Sequence, residues 1–322
     1  MEEKSIFEQD DQFSDIVKKA KRKSLKRIII VSVIVTVITA ILLWALLYLG
    51  TYLMYERMNA QIEESYEANY FQGANITAKG TSFDHFFVAG TTTTSYYKQV
   101  GPHLIDWETT NYFHTILGTS TVMQTKLAFG INNKMYQNNH PALAFHIPDE
   151  ETSKTDLDYI QSLPSFYNIE VAVSFKEEMS LAKMWEAFPN TQWAWIIQNG
   201  LRNNIAQQKE QDKEFEKENG GNSPFLYPTD YSEVHGYSAY GFPINRNDFI
   251  EVNPFESARY YKDQANIMTS YQADIVRQTL GEQPVENWPI AGVILTGKQA
   301  DILPYLQKDE IRTVRIGVVV PY

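Results

Sequence analysis

Cysteine is absent from the 322-residue chain, which removes thiolate nucleophiles, thiolate metal sites and disulfides together. Of the six histidines, His85, His103, His114, His140, His146 and His235, only His140 and His146 stand close, six apart and with no third ligand beside them. A protein zinc site needs at least three such donors. The pair Asp156 and Asp158 lacks the rest of a calcium loop. The string GYSAYG at 236–241 has the wrong spacing for a nucleophile elbow. A phosphate-cradling glycine loop, a dinucleotide fingerprint and H-E-x-x-H are all missing. The four threonines at 91–94 favour a strand and read as a polar strand face, not as nucleophiles. Asn75, Ile76 and Thr77 match a glycosylation sequon, a frequent chance match. The abundant Tyr, Phe and Trp can stack on sugars, but a core and a domain interface use them equally well. No catalytic residue, cofactor or metal is expected, and the chain does not read as an enzyme.

The most informative spacing is cationic. Lys18, Lys19, Lys21, Arg22, Lys23, Lys26 and Arg27 place seven charges in ten positions of a chain whose net charge is −11. Such a block binds nucleic acid, touches a membrane or docks a protein. The 28 residues that follow, 28–55, contain no charge. About 20 apolar residues span a bilayer core. This run is apolar all round, and it exceeds the roughly 7–15 residues of a signal-peptide core. It therefore reads as a single transmembrane helix, with Trp44, Tyr48, Tyr52 and Tyr55 toward the headgroup zone at its far end. The basic block precedes it, while Glu56, Arg57, Glu63, Glu64 and Glu67 follow. Positive charge stays inside, so the expectation is a single-pass protein of the cell membrane with a cytoplasmic N-terminus and an extracytoplasmic C-terminal part. The block then meets anionic lipid at the cytoplasmic face, worth about 1 kcal/mol per basic residue, and does not bind nucleic acid directly.

Stepping along the chain gives a cytoplasmic tail (1–27), the transmembrane helix (28–55) and a helical stalk (56–69). A β-rich region (70–153) and an α+β domain (154–322) with a charge-dense insert (201–237) follow. In the tail, Phe13, Ile16, Val17 and Ala20 share a helical stripe, with Asp11 or Ser14 as a possible cap. Phe7, Phe13, Ile16 and Val17 are the partner-binding candidates, although continuity of the helix into the span explains the stripe equally well. Strand-like stretches with glycine breaks fill 70–120, and 121–153 reads as a connector with a loop at 132–139. Strand, helix and strand are expected at 169–175, 180–188 and 192–197, with Ser180 as N-cap. The plan recurs at 290–296, to about 306, and 312–320, with Thr296 and Gln299 forming a capping-box pattern. Residues 254–281 read as one helix stopped by Gly281. The two strand–helix–strand units point to an α+β sandwich of ferredoxin-like type. The fold class is therefore α+β, with one N-terminal transmembrane helix, an extracytoplasmic β-rich region and a ferredoxin-like domain.

The opening FSDIVKKAKRKSLKRIII, the span and the region to about Gly101 resemble the N-terminal domain of the sigma-factor regulator family. SLPSFYNIEVAVSFKEEMSLAKMWEAF with WAWII, and the closing AGVILTGKQADILPYL with VRIGVVV, resemble its C-terminal domain. These are single-pass regulators of low-GC Gram-positive bacteria, of the same kind as the anti-sigma factor of the sigma-M system. The resemblance implies a tail that restrains an extracytoplasmic-function sigma factor and an outer domain that senses envelope stress. Its tail is short for that family, and it lacks the His and Cys of a zinc-containing anti-sigma module. The competing expectation is a membrane-anchored accessory module of the cell envelope, bound to another membrane protein and making no sigma contact.

Overall fold

A computed structural model describes residues 6–117, 120–122, 127–129, 135–137, 140–148, 155–218, 231–244 and 253–321. Helix α1 runs Ile6–Phe71, 66 residues without a break. It contains no proline and a single glycine, Gly50, so little interrupts its hydrogen-bond ladder. Asp11 and Ser14 lie inside α1 and do not cap it, because no breaker upstream forces the helix to begin there. Residues 28–49 are exposed on every side, the inverse of a soluble core helix. This part of α1 is long and apolar enough to cross a membrane, with mean hydropathy 2.9.

Strands β1 (Thr77–Phe86), β2 (Ala89–Val100), β3 (His103–Thr115) and β4 (Ser120–Val122) form an antiparallel sheet in that order. Its buried face includes Gly90, Thr92, Thr94, Tyr96, Lys98 and Val100 of β2, the period-two alternation of a one-sided strand. The sheet folds back along α1. Ten residues of β1 cover about 33 Å, close to the roughly 31 Å of helix between Gly50 and Phe71. Met54 and Met58 are fully buried beneath it. Two glycines permit the contact: a β-carbon on Gly90 would lie 2.5 Å from Met58 Sδ, and one on Gly50 would lie 2.5 Å from the Phe87 ring.

The connector holds short strands rather than a plain loop: β5 (Leu127–Phe129), β6 (Met135–Gln137), β7 (His140–Pro141) and β8 (Ala144–His146). Met135–Gln137 falls within the expected loop and pairs with both neighbours; the loop's other residues lie outside the described set.

After α2 (Leu157–Ser162) come β9 (Asn168–Ser180), α3 (Leu181–Ala187) and β10 (Thr191–Ile196), as expected, with Ser180 Oγ accepting from Lys183 N at 3.3 Å. The insert forms α4 (Leu201–Glu218) and β11 (Glu233–His235); 219–230 lie outside the described residues. β12 (Tyr240–Pro243) precedes a pair of helices, α5 (Pro254–Ile267) and α6 (Tyr271–Leu280), in place of the single helix expected there. The break arises because Ser270 is extended and caps α6 with its side chain; Gly281, at φ 53°, ends it. β13 (Pro289–Lys298), α7 (Gln299–Leu306) and β14 (Ile311–Val320) complete the fold. The expected capping box fails because Thr296 stays in β13, and Gln299 donates to Ile160 O at 3.1 Å instead.

The five-stranded sheet has the order β12-β10-β13-β9-β14, every neighbour antiparallel. Thus β9–α3–β10 straddles β13, and β13–α7–β14 straddles β9. One face buries Val171, Val173, Val293 and Leu295 against α3, α5 and α7. The other buries Ala172, Trp193 and Trp195 under Phe145 and Ile205, so the connector and α4 cover it. The charged insert is therefore partly packed, not wholly solvated.

Candidate functional site

The two sheets meet where α1 ends. Phe71 is buried in the five-stranded unit, and Tyr261 donates its hydroxyl to Phe71 O at 3.4 Å. Glu67 accepts from Ser270 N at 3.0 Å, tying the stalk to the start of α6. The chain then turns through Gly73 (φ 93°) and Asn75 (φ 56°) into β1. Asn75 occupies the left-handed region that Asn tolerates better than most residues.

At this junction Lys98 of β2 meets Glu170 of β9. Lys98 Nζ donates to Oε1 at 3.0 Å and Oε2 at 3.1 Å, and the two side chains are 2% and 0% exposed. Asn75 Nδ2 donates to Glu170 Oε1 at 2.7 Å and to Gln99 O at 3.0 Å. Val318 N donates to Glu170 Oε2 at 3.2 Å. The Trp107 ring lies 4.1 Å from Lys98 Nζ. Burial pushes the Lys98 ammonium below the ordinary lysine range, and the adjacent Glu170 carboxylate opposes that. A buried ion pair keeps its charges only when its remaining hydrogen bonds are met, and here Asn75 and the Val318 amide meet those of the carboxylate. Asn168 Nδ2 lies 3.2 Å from His103 Nε2 nearby. Gly101, at φ 58°, passes so close that a β-carbon would stand 2.5 Å from Asn168 Oδ1.

Beside the ion pair opens a cleft of about 430 Å³ between the stalk, β1–β2 and the β10–β12 edge. Its lining includes Tyr70, Gln72, Tyr97, Gln99, Gln192 and Trp193. Burial raises the Tyr70 hydroxyl well above its ordinary value. Amides, hydroxyls and ring faces without a lining charge suit a neutral polar ligand, such as a sugar or a peptide backbone. The lining has no nucleophile–base pair. No group of three or more His, Cys, Asp or Glu able to hold a metal occurs among the described residues.

The tail candidates lie elsewhere. Phe13, Ile16 and Val17 are 67%, 65% and 40% exposed on α1, about 80 Å along the helix from Phe71. Phe7 belongs to α1, but its side chain lies outside the described residues. The basic residues Lys18, Lys19, Lys21, Arg22, Lys23, Lys26 and Arg27 all project from the same exposed helix. His146 is fully buried, its Nδ1 3.3 Å from Thr313 Oγ1; the His140 side chain lies outside the described residues. The sequon Asn75 is 8% exposed with its amide bonded to Glu170 and Gln99, which leaves no accessible acceptor.

Sequence reasoning did not single out Lys98 or Glu170, and it marked Asn75 only as a sequon, not as a partner of Glu170. One signal was present: Glu170 stands alone in the apolar run IEVAVSF, and a carboxylate in a buried strand needs a partner. Neither a family model, nor a curated protein, nor a solved structure matches the chain.

Proposed function

We propose that this protein is a single-pass membrane regulator that couples an extracytoplasmic sensing domain to a cytoplasmic partner, an extracytoplasmic-function sigma factor. The observation that carries the reading is α1: one helix joins an exposed apolar stripe at Phe13, Ile16 and Val17 to the buried Phe71 beside the junction cleft. The basic block before the apolar segment supports a cytoplasmic N-terminus. The order β10-β13-β9-β14, with helices crossing between alternate strands, supports a ferredoxin-like unit on the outer side. The partner's identity rests on the resemblance of the tail and of the strand–helix–strand segments to sigma-factor regulators. The tail supplies an exposed helical stripe for a groove of the partner.

Cross-linking and co-purification of the full-length protein from its native membrane test this. A sigma factor is expected with the wild type and lost on combining Phe13→Ala with Ile16→Ala. Recovery of envelope proteins alone, unchanged by that double substitution, overturns the reading in favour of an anchored accessory module.

A further inference from the structure

The end of the four-stranded sheet nearest the apolar part of α1 has an unusual surface. The turn between β1 and β2 carries Phe86, Phe87 and Val88, and the turn after β3 carries Ile116 and Leu117. Ile116 N donates to Val88 O at 2.9 Å, which joins the two turns into one ledge. Phe86 is 79% and Leu117 91% exposed, and Val88 is also exposed. Residues 86–90 and 115–117 contain no charge. Phe87 sits at φ 53°, a region a bulky side chain rarely enters. Its ring packs on buried Gly50 while Phe86 points to solvent. Tyr55 stands 5.9 Å from the rings of Phe83 and His85 and fixes the same approach.

The ledge thus meets α1 at one height. Counted from residue 28, about 20 residues cross the hydrocarbon and end near residue 47. Gly50 lies three residues farther, about 4.5 Å along the axis. That height falls within the headgroup layer, roughly 5–7 Å deep on each side. Trp44, Tyr48 and Tyr52 form one helical stripe about the same zone, 69%, 66% and 50% exposed, where interfacial aromatics gather. The ledge is continuous with a helix surface whose Leu46, Leu47 and Leu49 are also exposed. What covers those leucines covers the ledge, and a bilayer covers both.

We infer that Phe86, Val88 and Leu117 form a lipid-docking ledge that inserts into the bilayer interface around the far end of α1. The inference rests on the apolar part of α1 crossing the membrane. Docking fixes the sheet at two places, the helix and the ledge, and so sets its tilt against the membrane.

The absence of cysteine makes a site-by-site test direct. Phe86→Cys, Leu117→Cys, Leu104→Cys and Leu46→Cys are made singly in the full chain and labelled with a polarity-sensitive fluorophore. Each is reconstituted into vesicles of phosphatidylcholine and phosphatidylglycerol carrying lipid-borne quenchers. Leu104 is 67% exposed at the opposite end of the sheet and serves as the aqueous control; Leu46 is the lipid control. Expected are blue-shifted emission and several-fold stronger quenching at positions 86 and 117 than at 104. If 46 is quenched while 86 and 117 match 104, the span stands and the ledge is overturned. If 46 also behaves like 104, the crossing helix fails and the ledge fails with it.

Discussion

The two sheets of this protein are built on opposite terms. The five-stranded sheet is sealed on both faces by aliphatic and aromatic side chains from the helices and the connector. The four-stranded sheet buries Thr92, Thr94, Thr110 and His114 along β2 and β3 beside a small apolar cluster of Tyr96, Val100 and Trp107, and Met54 and Met58 of α1 lie beneath it. Burying one large aliphatic side chain contributes about 1.5–3 kcal/mol, whereas a hydrogen bond between neutral groups contributes roughly 0.5–1.5 kcal/mol net. The first sheet is therefore a stiff body. The second is held by a smaller apolar cluster, neutral hydrogen bonds and one buried ion pair.

The difference is open to direct challenge. Trp288→Ala empties a fully buried site in the five-stranded unit and should cost about 3–5 kcal/mol, read as a drop in that unit's melting temperature. Lys98→Met leaves Glu170 buried and unpaired and should cost about 3 kcal/mol, near the low end for such breaks because Met preserves the stem's packing. Protease should then cut β2–β3 first while the five-stranded unit stays intact. Adding Glu170→Leu should restore only part of the loss, because the apolar pair needs no counter-charge but the Val318 amide and Asn75 Nδ2 lose their acceptor. Equal protection of both sheets in Lys98→Met would remove the proposed division.

Smaller effects follow at His114, whose Nε2 lies 2.8 Å from Thr92 Oγ1. Burial first, and the Arg57 charge second, hold its pKa below the ordinary value of about 6.5. The folded sheet thus favours neutral imidazole. Its contribution is complete above the ordinary value and is lost as pH falls through the lowered one. Amide protection factors in β2 and β3, taken against the intrinsic exchange rate at each pH, should fall as the medium is acidified below about pH 6.5, and His114→Gln should flatten that dependence. Thr92→Val removes the partner of a buried ring nitrogen and should cost about 1 kcal/mol. Thr94→Val, which gives up only the half-buried bond to Thr81 at 2.9 Å, should shift stability by under about 0.5 kcal/mol.

Periodicity and breakers made much of this architecture readable. An uncharged run after a basic block gives a long helix, and alternation between glycines gives β1–β3. Ser180 caps α3, and Gly281 stops α6, for local reasons visible in the chain. Readings failed where the decision was tertiary. Thr296 had a capping partner in sequence but a strand neighbour in space. Ser270 split a periodic helix by capping α6 in extended conformation, and its amide is held by Glu67, 203 residues away. Lys98 and Glu170 are 72 positions apart on different sheets, and no local pattern marks such a pair. The tail stripe was visible, but α1 shows that helix continuity alone accounts for its conformation.

A rod without a joint preserves heading as well as distance. The tail stripe of α1 and the Met54–Met58 face under the sheet are locked in azimuth by the helix that carries both. One residue inserted between Ala20 and Lys21, where α1 is exposed on all sides, would swing the stripe by about 100° and lengthen the rod by only about 1.5 Å. Seven inserted residues would lengthen it far more, yet return the stripe to within about 20° of its first bearing. The bearing of the stripe is therefore set by chain length counted in turns rather than in ångströms.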